Sequence, residues 1–220
     1  MGNMWSYSVQ EIVPGNTVYF NYKNAFTIAL FALVDANYNF MFVDVECPGR
    51  ISDSGDFTST ELCMKLETRT LCLPQPVPLN GREKSVPYFF IGDEAFPLSE
   101  NLVKVYPRQH PKDSKERIFN YRICRTRRVV ENVFGVSSSV FRVFRKPMLL
   151  EPEKAQPFAM TVAWLHNFLR RSPDWAAIYT PPGRFDYEEN GRVIEGSWRA
   201  TSNENMTSLF VLERLHVNHI

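Results

Sequence analysis

The feature that most constrains the fold is a pair of apolar runs separated by a short polar turn. Residues 26 to 34 read Phe-Thr-Ile-Ala-Leu-Phe-Ala-Leu-Val, and residues 40 to 45 read Phe-Met-Phe-Val-Asp-Val. A run this apolar predicts a strand that is covered on both faces. The intervening residues 35 to 39 (Asp-Ala-Asn-Tyr-Asn) supply turn-forming side chains. The pattern therefore predicts an antiparallel hairpin within a sheet.

Three stretches have helical spacing, and two of them lie in the second half of the chain. The strongest pattern runs from Lys115 to Phe134 and predicts a helix with Gly135 as its C-cap. A shorter pattern covers Phe57 to Thr68, and an apolar one covers Pro157 to Leu169. From Ser172 onward the chain is polar, and we expect an irregular extension. Strands and helices are thus mixed, which predicts an α/β or α+β fold.

Composition excludes several classes of protein. Hydrophobic residues make up 44% and charged residues 22%, as in ordinary globular proteins, and the net charge is +1. A nucleic-acid surface would therefore be a local patch. The spacing of the four cysteines does not predict a zinc site, and no apolar stretch is long enough to predict a transmembrane helix. The sequence also contains no P-loop, nucleophile elbow or dinucleotide-binding fingerprint.

Three carboxylates are candidates for chemistry. Asp93 follows a short apolar strand and a glycine, the position at which sheets present ligand-binding groups. The alternative for Asp93 is a helix N-cap. Glu131 lies in the arginine-rich helix, where the alternative is a surface ion pair one turn away. Asp53 lies in a loop, where the alternative is turn capping.

An arginine cluster on the same helix is a candidate contact surface for DNA phosphates. It comprises Arg117, Arg122, Arg125, Arg127 and Arg128. The alternative is a solvated helix face. His166 stands in an apolar stretch and is best interpreted as a satisfied core or helix-surface histidine.

Several strings occur in one order along the chain. They are Tyr-Phe-Asn-Tyr-Lys from residue 19, Leu-Val-Asp-Ala from 33, Gly-Arg-Ile-Ser-Asp-Ser-Gly from 49, Ile-Gly-Asp-Glu-Ala-Phe-Pro-Leu from 91, Arg-Arg-Val-Val-Glu-Asn-Val-Phe-Gly from 127, and Leu-His-Asn-Phe-Leu from 165. In this order they resemble the DDE endonuclease domain of Harbinger/PIF-type transposases, over about residues 19 to 170. Each string alone is weak evidence, but together they are specific.

The resemblance implies a ribonuclease-H-like fold, with a mixed sheet flanked by helices. It also implies divalent-metal-dependent cleavage of DNA phosphodiesters, in which Asp, Asp and Glu hold two Mg²⁺ or Mn²⁺ ions. Residue by residue, Asp93 matches the second aspartate and Glu131 the glutamate, so both are expected to be catalytic metal ligands. Asp53 matches a recurrent position that supports the site.

The chain departs from the family pattern at its start. The first aspartate of the family belongs to an Asp-Gly-x-His motif on the central strand, but residues 1 to 18 contain no Asp and no His. Asn3 stands near the expected position as a weak, neutral substitute. We therefore expect an N-terminally truncated domain, with its first central strand missing or replaced by Trp5 to Ile12. Activity should be impaired; the alternative is an inactive module that binds DNA or protein.

The resemblance also predicts organisation, partners and location. Residues 1–18 form an atypical N-terminal segment, 19–170 the endonuclease-like domain, and 171–220 a C-terminal extension. DNA and a Myb-like protein are the expected partners, without a membrane. The nucleus is the expected compartment, with the cytoplasm as a second one.

Overall fold

The computed structural model describes residues 2–11, 26–48, 60–94, 96–145, 150, 152–202 and 209–210. Its strands are β1 (Gly2–Glu11), β2 (Phe26–Val34), β3 (Phe40–Pro48), β4 (Val77–Pro78), β5 (Ser85–Val86), β6 (Phe90–Ile91), β7 (Leu102–Val103), β8 (Tyr187–Glu189), β9 (Arg192–Ile194) and β10 (Leu209–Phe210). Its helices are α1 (Glu61–Glu67), α2 (Lys115–Val140), α3 (Pro152–Arg171), α4 (Ala176–Tyr179) and α5 (Trp198–Ser202), with a 3₁₀ turn at Arg142–Arg145. Strands and helices are mixed, as predicted.

The predicted hairpin is confirmed. β2 and β3 pair antiparallel, with Val34 opposite Phe40 beside the turn. In the turn, Asp35 Oδ1 accepts hydrogen bonds of 2.8 Å from the backbone N–H groups of Asn37 and Asn39. This carboxylate satisfies donors that the turn would otherwise leave unpaired, as expected of Asp in a turn.

The apolar run of β2 is buried on both faces of the sheet, as its composition predicts. Leu30, Ala32 and Val34 pack with buried residues of α2 and α3 on one face. Phe31 and Leu33 pack with buried residues of α1, β6 and β7 on the other. Burying a Leu, Phe or Val side chain contributes about 1.5–3 kcal/mol. The strand therefore fixes the two layers of helices relative to the sheet.

The N-terminal segment provides a strand in the middle of the main sheet. β1 pairs antiparallel with β2 from Asn3, opposite Val34, to Glu11, opposite Phe26. On its other side it pairs parallel with β6, where Asn3 lies opposite Ile91. The sheet order is β3-β2-β1-β6-β7, and β10 also pairs with β1. The central strand of the sheet is therefore not missing, because β1 occupies that position.

The two long helices differ from prediction at their ends. Ser114 caps α2, since its Oγ accepts from the N–H of Arg117 at 3.2 Å. The helix continues past Gly135 to Val140, so the predicted C-cap is wrong. Residues 132–139 are all buried, and this burial favours helix over the local stop signal. α3 starts at Pro152, before the predicted start at Pro157. Across the described ranges, no helix has both the length and the apolarity needed to cross a membrane.

Two residues of α3 join it to the hairpin. His166 is fully buried, and its Nε2 donates to the carbonyl of Tyr38 at 2.7 Å. Its Nδ1 then lacks a proton and accepts from the Tyr179 hydroxyl at 2.8 Å. Asn167 bonds both the N–H and the carbonyl of Phe40, each at 2.8 Å. The interpretation of His166 as a satisfied core histidine is confirmed, and burial lowers its pKa to about 4.

A groove of about 940 Å³ lies between β3 and α3. Its lining includes Met41, Trp164 and Phe168, whose exposed fractions are 61%, 73% and 63%. None of its lining residues is one of the carboxylates or arginines that the sequence singles out.

Candidate active site

Asp93 lies just beyond the C-terminal end of β6, two residues after Ile91. Its Oδ1 accepts from the N–H of Glu94 at 2.7 Å, and its carbonyl accepts from the N–H of Phe96 at 3.2 Å. These bonds form a turn on the way to β7. Among the described residues between β6 and β7 no helix is present, so the N-cap alternative is wrong. Gly92 allows this approach, because a Cβ there would lie 2.9 Å from the Phe96 side chain.

Arg127 of α2 contacts Asp93 directly. Its Nη2 lies 3.0 Å from Asp93 Oδ1. The side chain of Arg127 is 6% exposed and that of Asp93 is 24% exposed, so the pair is largely removed from water. Screening by salt is weak at such a site, and the guanidinium compensates the carboxylate strongly.

Glu131 lies one helical turn after Arg127 and is half-buried. Burial raises the pKa of Glu131, and the positive charges of Arg127 and Arg199 oppose the rise. No hydrogen bond or ion pair joins its carboxylate to any residue that the structure describes. The alternative of a surface ion pair one turn away is therefore not observed. Arg127 contacts Asp93 and is the strongest charge acting on Glu131.

The C-terminal segment adds a second ion pair beside Glu131. Asp186 has a fully buried side chain and accepts from the N–H of Gly196 at 2.7 Å. Its two carboxylate oxygens each accept from Arg199 Nε at 3.0 Å. The Arg199 guanidinium also lies 4.3 Å from the Trp198 ring centroid. These residues stand in a polar stretch without a local sequence pattern, so their place beside Glu131 was not predicted.

Asn132, next to Glu131, holds this segment against α2. Its Nδ2 donates to the carbonyl of Asp186 at 3.0 Å, and its Oδ1 accepts from the N–H of Asp186 at 2.8 Å. The same Oδ1 accepts from Trp198 Nε1 at 2.9 Å. Three groups that burial would leave unpaired are thus satisfied by one amide. The segment after residue 172 is consequently ordered on α2 and not irregular, as far as residue 202.

The predicted phosphate-contact arginines fall into two groups. Arg125 and Arg128 lie 3.7 Å and 3.6 Å from Glu188 Oε2, and Arg127 contacts Asp93. Arg117 and Arg122 form no ion pair with the described acidic residues. The contact of these side chains with DNA stays a prediction.

The carboxylates do not fit a pair of metal ions. Asp53 lies outside the described residues, and Cys63, Cys72 and Cys124 are free thiols. Among the residues that can be described, no group of three or more His, Cys, Asp or Glu side chains is placed to hold a metal. The remaining donors are two carboxylates, with a guanidinium already at one of them. Two divalent ions require more negative oxygen ligands than this.

The chain was compared with known proteins in three ways. A family model described as DDE superfamily endonuclease matches residues 8–167. This range includes Asp93, Arg127 and Glu131 and ends before Asp186 and Arg199. Searches of curated proteins and of solved structures returned no significant match.

Proposed function

The chain belongs to the DDE superfamily endonucleases, and we propose that it is a transposase-derived, Harbinger-type nuclease domain whose phosphodiester hydrolysis is impaired. One observation carries this proposal: carboxylates from two separate elements, Asp93 after β6 and Glu131 on α2, are both subject to the charge of Arg127. Carboxylates that share one local environment at the end of a sheet are the remnant expected of a DDE site.

The proposed impairment of hydrolysis follows from the carboxylates that are left to bind metal. Members of this superfamily usually use divalent metals. Such a mechanism places two ions roughly 3.5–4 Å apart to activate water and to neutralise the leaving oxygen. On the central strand Asn3 lies opposite Ile91, near the position at which the family resemblance predicts an aspartate. A neutral amide at this place would lower the negative charge available to a divalent ion, and hydrolysis that depends on such ions would be weakened.

The proposal includes a ribonuclease-H-like arrangement. The sheet order supports it, because β1 is central, antiparallel to β2 and parallel to β6. In this arrangement Asp93 is presented at the carboxyl end of a parallel strand, the edge at which α/β sheets bind ligands.

A second candidate is a catalytically inactive DNA-binding module. It is favoured by Arg117 and Arg122, whose charges no described acidic side chain pairs. Contacts of this kind bind the DNA backbone without reading its sequence. Target choice would then fall to a partner, such as the Myb-like protein that the family resemblance suggests, with the nucleus as the site of action.

A plasmid-nicking assay tests the proposal. Supercoiled DNA and Mn²⁺ are incubated with the chain and with its Glu131→Ala variant, and binding is followed by gel retardation. We expect no metal-dependent nicking above background from either protein, with retardation of the DNA by both. Nicking by the parent chain that is lost in Glu131→Ala would show an intact nuclease. Absence of retardation would remove the DNA-binding alternative.

A further inference from the structure

The positive charge beside the two carboxylates belongs to the protein itself. Arg127 Nη2 lies 3.0 Å from Asp93 Oδ1, within the distance of a charge-assisted hydrogen bond. The Arg127 residue is only 5% exposed, which limits the room for its guanidinium to move aside. Arg127 lies one turn before Glu131 on α2, and its positive charge also acts on that carboxylate.

We propose that the Arg127 guanidinium takes the place of a divalent cation at Asp93 and excludes metal from this site. The inference rests on the proposed function, since it treats Asp93 and Glu131 as the remaining carboxylates of a DDE site. If so, the site becomes able to bind a divalent ion when the positive charge at position 127 is removed.

The physical reason is competition for one oxygen. A metal at Asp93 Oδ1 would have to displace the Arg127 hydrogen bond and stand within a few ångströms of a guanidinium. Coulomb repulsion between a divalent ion and this guanidinium is doubled relative to two unit charges. Because the pair is largely buried, added salt screens the repulsion poorly. The two carboxylates of Asp93 and Glu131 would share their negative charge between the ion and the guanidinium that already contacts Asp93.

Arg125 offers a matched control on the same helix. Its side chain is 59% exposed, and its partner is Glu188 at 3.7 Å instead of Asp93. Replacing Arg125 with methionine removes the same charge from the protein and the same hydrogen-bond donors. It leaves the Arg127–Asp93 contact in place.

The experiment measures Mn²⁺ binding without DNA, from the loss of the free-ion electron paramagnetic resonance signal. We expect the parent chain and Arg125→Met to bind alike and weakly. Arg127→Met should bind at least tenfold more tightly, and adding Asp93→Asn to it should abolish the gain. Arg127→Lys keeps the charge and should resemble the parent chain.

Two outcomes would overturn the inference. One is tight Mn²⁺ binding by the parent chain that Asp93→Asn removes; this arm needs no folded Arg127→Met. The other is a folded Arg127→Met, checked by circular dichroism, that binds no better than Arg125→Met. The proposed function is judged separately by nicking: a parent chain that binds Mn²⁺ but does not nick refutes only the exclusion of metal.

Discussion

Replacing Gly135 with alanine tests whether the C-terminal segment is packed onto the helix that carries Glu131. Gly135 lies inside α2, where helix propensity alone favours alanine by about 1 kcal/mol. The structure predicts the opposite sign. A Cβ at Gly135 would lie 2.4 Å from Trp198 Cε3 and 2.5 Å from Cζ3, so the indole must move.

The size of the effect follows from what the indole loses. Forcing an extra carbon into a packed site costs about 1–3 kcal/mol. Displacing Trp198 also stretches its 2.9 Å bond to Asn132, and leaving such buried groups unpaired costs about 1–3 kcal/mol. Full expulsion of the 7% exposed indole sets a ceiling of about 3–5 kcal/mol. After the propensity gain is subtracted, we expect Gly135→Ala to lower the free energy of unfolding by about 2–3 kcal/mol.

Urea unfolding followed by circular dichroism measures this change, and a double variant isolates its cause. With Trp198→Ala already present, the obstacle is gone, so Gly135→Ala should stabilise the protein by about 1 kcal/mol. The reasoning is refuted if Gly135→Ala stabilises the parent chain, or if its effect has the same sign and size in both backgrounds.

Two further predictions concern the buried His166 and the half-buried Glu188. The pKa of His166 is about 4 in the folded protein and 6.5 when unfolded, so the unfolded state binds more protons between these values. The contribution of neutral His166 to the free energy of unfolding should therefore be fully present above pH 6.5 and fall by on the order of 3 kcal/mol toward pH 4. Thermal melts at a series of pH values measure this fall, and His166→Gln should make it shallower. An unchanged dependence on pH in the variant would contradict the prediction. Glu188→Gln should release Arg125 and Arg128 for contacts with DNA phosphates and so raise the DNA affinity measured by gel retardation. The affinity should also fall more steeply with salt, by an amount that corresponds to up to about two additional phosphate contacts. Glu61→Gln, which breaks a 2.7 Å pair with Lys65 on α1, is the charge-matched control, and equal effects of the two changes would count against the idea.

Local patterns predicted the elements whose cause is local. The hairpin of β2 and β3 follows from two apolar runs and a turn, and the body of α2 follows from its 3.6-residue spacing. β6 follows from the short apolar run before Gly92, whereas β7 has only two residues, too few to show a period. The end of α2 was mispredicted because Gly135 serves tertiary packing against Trp198, and a glycine has the same local signature in either role.

The candidate site was predictable only where family strings carry it. Asp93 and Glu131 were located from their surrounding residues. Asp186 and Arg199 lie beyond the family match and more than fifty residues from Glu131 along the chain. Their approach depends on Asn132, an amide whose three bonds are all long-range. No sequence period encodes a contact of this kind.

The position of β1 in the sheet has a consequence for synthesis on the ribosome. Gly2 pairs with Phe90, so β1 is completed on one side only after about ninety further residues have been added. Elongation at roughly 5–20 residues per second sets this interval on the order of ten seconds. During it, the nascent hairpin of β2 can cover one edge of β1, while the opposite edge has open backbone donors and acceptors. Such an open edge can pair with strands of neighbouring chains, so this interval is when the nascent protein is most exposed to aggregation.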